Sequence, residues 1–216
     1  MPTLNWIGKD KVINHHLDVP FRVLDLQYTF SSGNQEQPNT ESENKIIRGD
    51  NLEALKALLP RYEGKIKCIY IDPPYNTGSD GFRYKDAYPH ASWLSMIDER
   101  LRLAHTLAAE KTALFVSLDD NEQAVFRQAA DAVWGRENFV ATVIWQKIFS
   151  PKNSARHFSE DHDFVLVYAR DGATWTPRLL PRTAEMEARY SNPDKDPRGP
   201  WTSGDVSARN PYSEGR

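Results

Sequence analysis

The chain has 216 residues, of which 26% are charged, and its formal net charge is −3. This length suffices for one α/β domain with a sizeable core and a smaller appendage. The near-balanced charge excludes a surface that is strongly basic throughout, so any nucleic-acid contact must come from local clusters. A single cysteine excludes an intramolecular disulfide framework and favours a reducing compartment. We find no signal-peptide pattern and no run near the roughly 18 apolar residues that a membrane span requires, so we expect a cytoplasmic protein.

Residues 1–44 are expected to form an N-terminal extension and a linker. The first thirty or so residues mix short apolar pairs with polar residues and predict only short elements. Residues 31–44 are rich in Ser, Asn, Gln and Glu, which is typical of an exposed loop. His15 and His16 are adjacent, but sequence neighbours rarely converge on one ion and no cysteine or carboxylate set accompanies them. We therefore expect surface or capping histidines and no metal site.

From Lys45 the chain alternates between strand and helix patterns, which predicts an α/β domain over residues 45–172. The predicted elements are a strand at 46–48, a helix at 52–59, a strand at 66–71, a helix at 92–110, a strand at 112–118, a helix at 122–134, and strands at 139–146 and 164–168. Asp50 or Asn51 would cap the first helix, and Pro60 would help to stop it. Cys68 is predicted to be buried in its strand. Residues 173–216 form an irregular segment rich in proline and arginine.

The most informative motif is the DPPY loop, which consists of Asp72, Pro73, Pro74 and Tyr75 and directly follows the apolar strand at 66–71. An Asp-Pro sequence can also be a simple turn. A continuous apolar run before the motif, however, is typical of a buried parallel strand. Open α/β folds bind their ligands at the carboxyl ends of such strands, so the loop is a candidate active site.

The chemistry that suits this loop is methylation of an exocyclic amino nitrogen of a DNA base. The lone pair of that nitrogen is delocalised into the ring until its two hydrogens are held by acceptors. The carboxylate of Asp72 and the carbonyl of Pro73 could accept one hydrogen each. Prolines fix φ and donate no competing N–H, and acceptors placed in advance need no reorganisation during reaction. Tyr75 would offer a flat face to a base that has left the duplex.

Several segments together resemble the β-class adenine-specific DNA methyltransferases, and most closely the modification (Mod) subunit of Type III restriction-modification systems. These segments are IRGDNL at 47–52, IYIDPPYNTG at 69–78, FVSLDDNE at 115–122, VIWQK at 143–147 and HDFVLVY at 162–168. WIGK at 6–9 and DPRGPW at 196–201 are also similar to that subfamily. The combination of motifs spans nearly the whole chain and is far more specific than the DPPY loop alone.

The resemblance implies a Rossmann-like methyltransferase fold that uses S-adenosylmethionine and is circularly permuted, so that the catalytic half precedes the cofactor-binding half. It also implies direct in-line methyl transfer to N6 of a flipped adenine, since the related cytosine-N4 enzymes more often carry serine in place of Asp72. Family members carry a Phe-x-Gly-x-Gly loop towards the C-terminus, whereas this chain contains no Gly-x-Gly. We therefore expect the N-terminal portion of a longer Mod-like protein, with the glycine-rich cofactor half absent and the isolated chain inactive.

The resemblance extends to further site residues. Asp50 and Asn51, together with Asp72, are expected to bind the cofactor, although helix capping is an equal alternative for Asp50. The expected DNA contacts are Tyr75, Asn76, Trp145, Lys147, Lys152 and Arg156. Trp145 could instead face the core, and any one of the basic residues could be part of an ordinary solvated surface.

The implied partners are double-stranded DNA, a second Mod copy and a restriction (Res) subunit, with no membrane. Residues 173–216 would begin the target-recognition region. Two alternatives remain open. One is a catalytically incomplete fragment that binds DNA or partner subunits, and the other is an amino methyltransferase that acts on cytosine N4, RNA or protein glutamine.

Overall fold

The computed structural model describes residues 4–29, 44–78, 86–150 and 157–202. By its internal contacts the chain divides into two compact units, Met1–Trp175 and Thr176–Arg216. The polar linker expected at 31–44 lies outside the described residues except for Asn44. The described part of the second unit contains one four-residue helix and an isolated bridge between Ser191 and Trp201.

A four-stranded mixed sheet forms the centre of the first unit. Its strands are β1 (Ile66–Ile71), β2 (Ala108–Leu118), β3 (Phe139–Gln146) and β4 (His162–Ala169). The strand order is β1-β2-β4-β3. β1 and β2 are parallel, whereas β4 runs antiparallel to both of its neighbours. The strands β1, β2 and β3 therefore end at the same edge of the sheet, which we call the carboxyl edge.

The helices are α1 (Lys9–Val12), α2 (His15–Asp18), α3 (Asn51–Tyr62), α4 (His90–Leu107), α5 (Gln123–Trp134) and, in the second unit, α6 (Ala184–Glu187). A short 3-10 helix, Arg136–Asn138, follows α5. Gly135 ends α5 with a φ of 89°, which explains the glycine there because this backbone region disfavours side chains. None of the helices in the described ranges is long and apolar enough to cross a membrane.

The core lies between one face of the sheet and the helices α4 and α5. Leu114, Val116 and Leu118 of β2 are fully buried against Trp93 of α4 and Phe126 of α5, whose rings meet edge to face at 6.5 Å between centroids. Alternation along β2 sends every second side chain to this face. The packing holds the amino ends of α4 and α5 close to the carboxyl edge.

The opposite face of the sheet carries no helix in the described part of the chain. Tyr70, Val143 and Trp145 are 63%, 50% and 64% exposed there. Cys68 is also exposed, so the expectation that it is buried is wrong. The reason is strand alternation: Cys68 and Tyr70 point to the open face, whereas Ile69 points to the core.

The first predicted strand is also wrong, because residues 46–48 have irregular backbone and Ile46 is 98% exposed. An apolar pair is too short to specify a strand without a neighbour to pair with. α3 continues through Pro60 to Tyr62 instead of stopping. Proline has a φ suited to a helix and removes one hydrogen bond, so a helix can tolerate it near its end.

The later elements agree closely with expectation, with one shifted boundary. α5, β3 and β4 contain the predicted segments almost to the residue. α4 ends at Leu107, and the next three residues belong to β2, which pairs with β1 from Ala108 onward. The helical periodicity over residues 92–110 could not reveal that pairing, because Ala108, Ala109 and Glu110 favour a helix locally and the pairing with β1 overrides that preference.

Candidate active site at the carboxyl edge

The DPPY loop follows β1 directly and lies at the carboxyl edge. Asp72 is exposed, Pro73 is buried, and Pro74 and Tyr75 are half-buried. The carboxylate of Asp72 therefore faces solvent while the prolines after it pack inward. This is the placement that the sequence predicted for the motif, and it leaves the acidic group accessible to an incoming ligand.

The middle of the loop is fixed by Trp93, a fully buried residue on the first turn of α4. Its indole Nε1 donates a hydrogen bond of 2.8 Å to the carbonyl oxygen of Pro74. The bond orients the Pro74 peptide, and neither proline can donate an N–H that would compete for a carbonyl.

The backbone after the loop is held by Asp86, which is 3% exposed. Its carboxylate accepts hydrogen bonds from the Asn76 N–H at 2.9 Å, from the Thr77 N–H at 3.1 Å and from the Thr77 hydroxyl. Its backbone carbonyl accepts from the Gly78 N–H at 2.9 Å. Asp86 therefore closes a turn directly behind Tyr75.

The side chain of Asn76 is engaged within the protein. Its Nδ2 donates to Oε1 of Glu122 at 2.6 Å and to the carbonyl of Tyr88 at 3.0 Å, and its Oδ1 accepts from the Tyr88 N–H at 2.6 Å. Nδ1 of His90 lies 2.8 Å from the same Glu122 oxygen. Sequence reasoning missed Trp93, Asp86 and Glu122 as site residues. Only Glu122 carried a signal, as the acidic residue that ends the family-like segment after β2.

Tyr75 lies on the open side of the carboxyl edge beside Ser117. Burial raises the pKa of its phenol, and the nearby carboxylates of Asp72 and Asp163 raise that pKa further. The phenol therefore stays protonated across the neutral range. Part of the ring packs against the core, so only the remainder is accessible to a ligand.

A small cleft of about 100 Å³ connects the DPPY loop with the amino end of α3. It is lined by Asn51, Ile71, Asp72, Pro73, Pro74, Met96, Ile97, Arg100, Leu101 and Phe126. The structure thus brings Asn51 and Asp72 together. Ligand sites for molecules of nucleotide size typically enclose roughly 300–1,000 Å³, so these residues provide only part of such a site.

Asp50 borders this cleft and is the N-cap of α3. Its carboxylate accepts from the Leu52 N–H at 2.8 Å and from the Glu53 N–H at 3.4 Å. Arg100 on α4 connects this turn to the cleft, since its Nε donates to Oδ1 of Asn51 at 2.6 Å and its Nη2 lies 3.8 Å from Asp50. The capping alternative is therefore realised, and the carboxylate remains largely exposed.

The other sequence candidates are distributed along the same edge. Trp145, near the end of β3, points to the open face and is 64% exposed, so the alternative of a core tryptophan is wrong. Nζ of Lys147 lies 2.8 Å from Oδ1 of Asp163. Lys152 and Arg156 lie outside the described residues. No cluster of three or more potential metal ligands occurs within the described ranges.

Comparison with known proteins agrees with this geometry. A family model described as DNA methylase matches residues 66–214. The chain is 41% identical over 135 residues to a probable Type III restriction-modification Mod subunit, HindVI, from Haemophilus influenzae, covering 61% of this chain and 18% of that protein. It is 33% identical to the EcoPI Mod subunit of Escherichia phage P1, and the match covers 78% of this chain and 30% of that protein. It is 32% identical to the StyLTI Mod subunit of Salmonella typhimurium, and the match covers 92% of this chain and 34% of that protein.

The chain thus spans no more than about a third of these relatives. Among solved structures, a complex of M1.HpyAVI with SAM is 18% identical with a TM-score of 0.45, and the match covers 63% of this chain and 58% of that chain. The family model alone covers more than half of the chain and includes the whole sheet. This chain therefore belongs to the N6/N4 DNA methylase family and has its Rossmann-like α/β fold.

Proposed function

We propose that this chain carries the catalytic loop of a DNA adenine-N6 methyltransferase, the modification subunit of a Type III restriction-modification system. The observation that carries the proposal is the DPPY loop itself. An exposed carboxylate, Asp72, stands at the end of a parallel strand beside two prolines, and the carbonyl of the second, Pro74, is held by Trp93 of α4. The Mod relatives support the choice of system.

The loop would act by holding the target amino group. Asp72 accepts one N–H of the amino nitrogen and the Pro73 carbonyl accepts the other, which localises the nitrogen lone pair and directs it out of the ring plane. S-adenosylmethionine supplies the electrophilic methyl group when it is bound. Acceptors that are already oriented require little reorganisation during reaction, which is where most electrostatic catalysis arises.

Cofactor binding is assigned to Asp50, Asn51 and Asp72. Asn51 and Asp72 are supported by the cleft that they line together with the apolar side chains of Ile71 and Phe126. Asp50 does not line the cleft but lies 3.8 Å from Arg100, which does. Such a lining suits one side of an amphipathic cofactor. The small volume of the cleft agrees with a site that is completed by a part of a Mod subunit outside this chain.

DNA contact is assigned to the open side of the carboxyl edge. Tyr75 would stack on the flipped base, and Trp145 and Lys147 lie along the same edge where the duplex would approach. Lys152 and Arg156 are proposed as phosphate contacts because they belong to the basic segment after β3. The sequence predicts that Asn76 contacts DNA, but the hydrogen bonds of its amide within the protein favour a role in holding the loop.

The wider setting follows the Mod relatives. We propose double-stranded DNA as the substrate, a second Mod copy and a restriction subunit as partners, and the cytoplasm as the location. Cytosine N4 is retained as the alternative target, because a cytosine amino group presents the same pair of hydrogens to Asp72 and Pro73.

The decisive experiment is methylation of plasmid DNA by a full-length Mod subunit that contains this sequence, with mass spectrometry of the nucleosides. We expect N6-methyladenine. Asp72→Ala should abolish transfer and leave most DNA affinity in a gel-shift titration, because phosphate contacts lie elsewhere. N4-methylcytosine would establish the alternative target, whereas near-normal turnover of Asp72→Ala would refute the catalytic assignment.

A further inference from the structure

Glu122 is the residue whose position the proposed chemistry does not explain. It directly precedes α5 and is fully buried, yet its side chain makes no capping hydrogen bond to that helix. Burying a carboxyl group is unfavourable unless it is paired and hydrogen-bonded. A carboxylate that caps a helix does not need to be buried, so the burial of Glu122 indicates a role other than capping.

Oε1 of Glu122 has two neighbours, His90 and Asn76, and Asn76 is the residue after the DPPY loop. Asn76 has a φ of 61°, in the left-handed region that non-glycine residues adopt infrequently. Both hydrogens of its amide are used, one by Glu122 Oε1 at 2.6 Å and one by the Tyr88 carbonyl at 3.0 Å. The loop is thus anchored by strand pairing on one side and by this amide on the other.

We propose that Glu122 is a positioning residue for the DPPY loop and acts through Asn76. This inference rests on the proposed function and goes beyond it, because Glu122 touches neither the base nor the cofactor in that mechanism. The Pro73 carbonyl and the Tyr75 ring lie in the short segment between the two anchors. Their placement relative to Asp72 therefore depends on where Asn76 is held.

Loss of Glu122 should loosen the loop without releasing it. Asp86 independently holds the backbone N–H groups of Asn76 and Thr77, so the turn itself persists. A displacement of about 1 Å in an active site can lower a rate on the order of a hundredfold. We therefore expect a partial loss of turnover, with the substrates still bound.

The charge of Glu122 should matter less than its acceptor oxygen. Oε1 receives Asn76 Nδ2 and lies beside His90, whereas Oε2 has no partner among the described residues. A glutamine can present its carbonyl oxygen to Asn76 and place its amide at the unused position. Glu122→Gln should accordingly preserve the contact that Glu122→Ala removes.

The first test measures steady-state methylation by a full-length Mod subunit that contains this sequence. Glu122→Ala should lower kcat by about ten- to a hundredfold and leave both KM values within about twofold, while Glu122→Gln should regain most of the rate. Asp120→Ala is the matched control, since it removes an exposed acid from the same turn and should leave kcat unchanged. Equal loss in the Ala and Gln variants would overturn the proposal.

The second test is a double-mutant cycle with Asn76→Ala. If Glu122 acts through Asn76, then Glu122→Ala should have little further effect on kcat in the Asn76→Ala background. If the double variant instead loses kcat by the product of the two single-variant factors, the proposal is overturned. An inactive wild type would instead count against the proposed function, which separates the two failures.

If Glu122→Ala impairs folding, a second double-mutant cycle can combine Asn76→Asp with Glu122→Gln, so that no alanine is needed at position 122. Its new carboxylate opposes the carboxylate of Glu122, so it should reduce kcat more in wild type than in the Glu122→Gln background. Asn76→Asp also changes the hydrogen bonds between residue 76 and Tyr88, but it does so in both backgrounds, so this contribution cancels in the comparison. Equal reduction in the two backgrounds would contradict a direct coupling between Glu122 and Asn76.

Discussion

Trp93 donates its indole N–H to the carbonyl of Pro74 across 2.8 Å, and this bond joins the first turn of α4 to the centre of the DPPY loop. The indole of Trp93 is fully buried, whereas Pro74 is half-buried, so the donor end of the bond is shielded from water. Strand β1 places the loop at the edge of the sheet, and the indole donor of Trp93 orients the Pro74 peptide within the loop.

Trp93→Phe should therefore loosen the loop while keeping the aromatic packing. We expect turnover of the full-length Mod subunit to fall several-fold and the free energy of unfolding to fall by roughly 1 kcal/mol, because the half-buried carbonyl of Pro74 loses its donor. Trp134→Phe is the matched control. Trp134 is equally buried, but its Nε1 has no partner among the described residues. Similar turnover losses in both variants would contradict a specific role for the Trp93 bond.

Tyr75 offers a test of base stacking. Tyr75→Phe and Tyr75→Trp should retain more activity than Tyr75→Ala, because stacking requires an aromatic face and contributes about 1–3 kcal/mol per base. Fluorescence of 2-aminopurine at the target position would report the flipped base. Equal losses in all three variants would point to the hydroxyl, which lies beside Ser117 in this structure, or to the fold.

The cleft between α3 and the DPPY loop predicts weak cofactor binding by the 216-residue chain alone. A glycine-rich turn normally lets the backbone approach a nucleotide ligand closely, and this sequence has no Gly-x-Gly. Isothermal titration with S-adenosylmethionine should detect little or no heat of binding, and the chain should not methylate DNA. Micromolar affinity for a monodisperse monomer would show that the cleft is already a complete site.

The edge position of β1 has a consequence for association. In the described part of the chain β1 pairs with β2 alone, so its other edge presents unpaired backbone groups. The face beside it is apolar and exposed at Tyr70. Such edges promote pairing between chains. Light scattering of the isolated chain should therefore show concentration-dependent association, and a strictly monomeric chain at high concentration would contradict this.

His105 predicts a pH dependence of stability. Burial and the Arg170 guanidinium, which lies 2.9 Å from its Nδ1, lower the pKa of His105 to about 4. The unfolded chain binds this proton near pH 6.5, so the stabilisation is present above that pH and is lost as pH falls towards 4. Because the side chain is only partly buried, we expect the effect to be at most about 1–2 kcal/mol. In thermal unfolding experiments, the stability of His105→Gln should fall less over this pH range than the stability of the wild type.

Part of the fold was evident from local patterns. The apolar run at 66–71 and the helical spacing of 122–134 predicted β1 and α5, because strand alternation and helix amphipathicity are properties of contiguous sequence. Likewise, the position of the DPPY loop followed from what precedes it. Errors occurred where a neighbour decides the structure, as at residues 46–48, which have no strand to pair with in the described chain.

By itself, the sequence determined the family and the place of the DPPY loop with its carboxylate at the end of a strand, because these reside in consecutive residues that can be recognised locally. Only the tertiary structure decided what holds that loop. Trp93 contacts the loop, and Asp86 and Glu122 contact Asn76 directly after it, from positions 10 to 46 residues further along the chain. Their role depends on how α4 and α5 pack against the sheet, and long-range packing of this kind leaves no periodic signal in the sequence. The same packing leaves Cys68 and Trp145 on the open face, since the number of covered faces of a sheet is a property of the assembled fold.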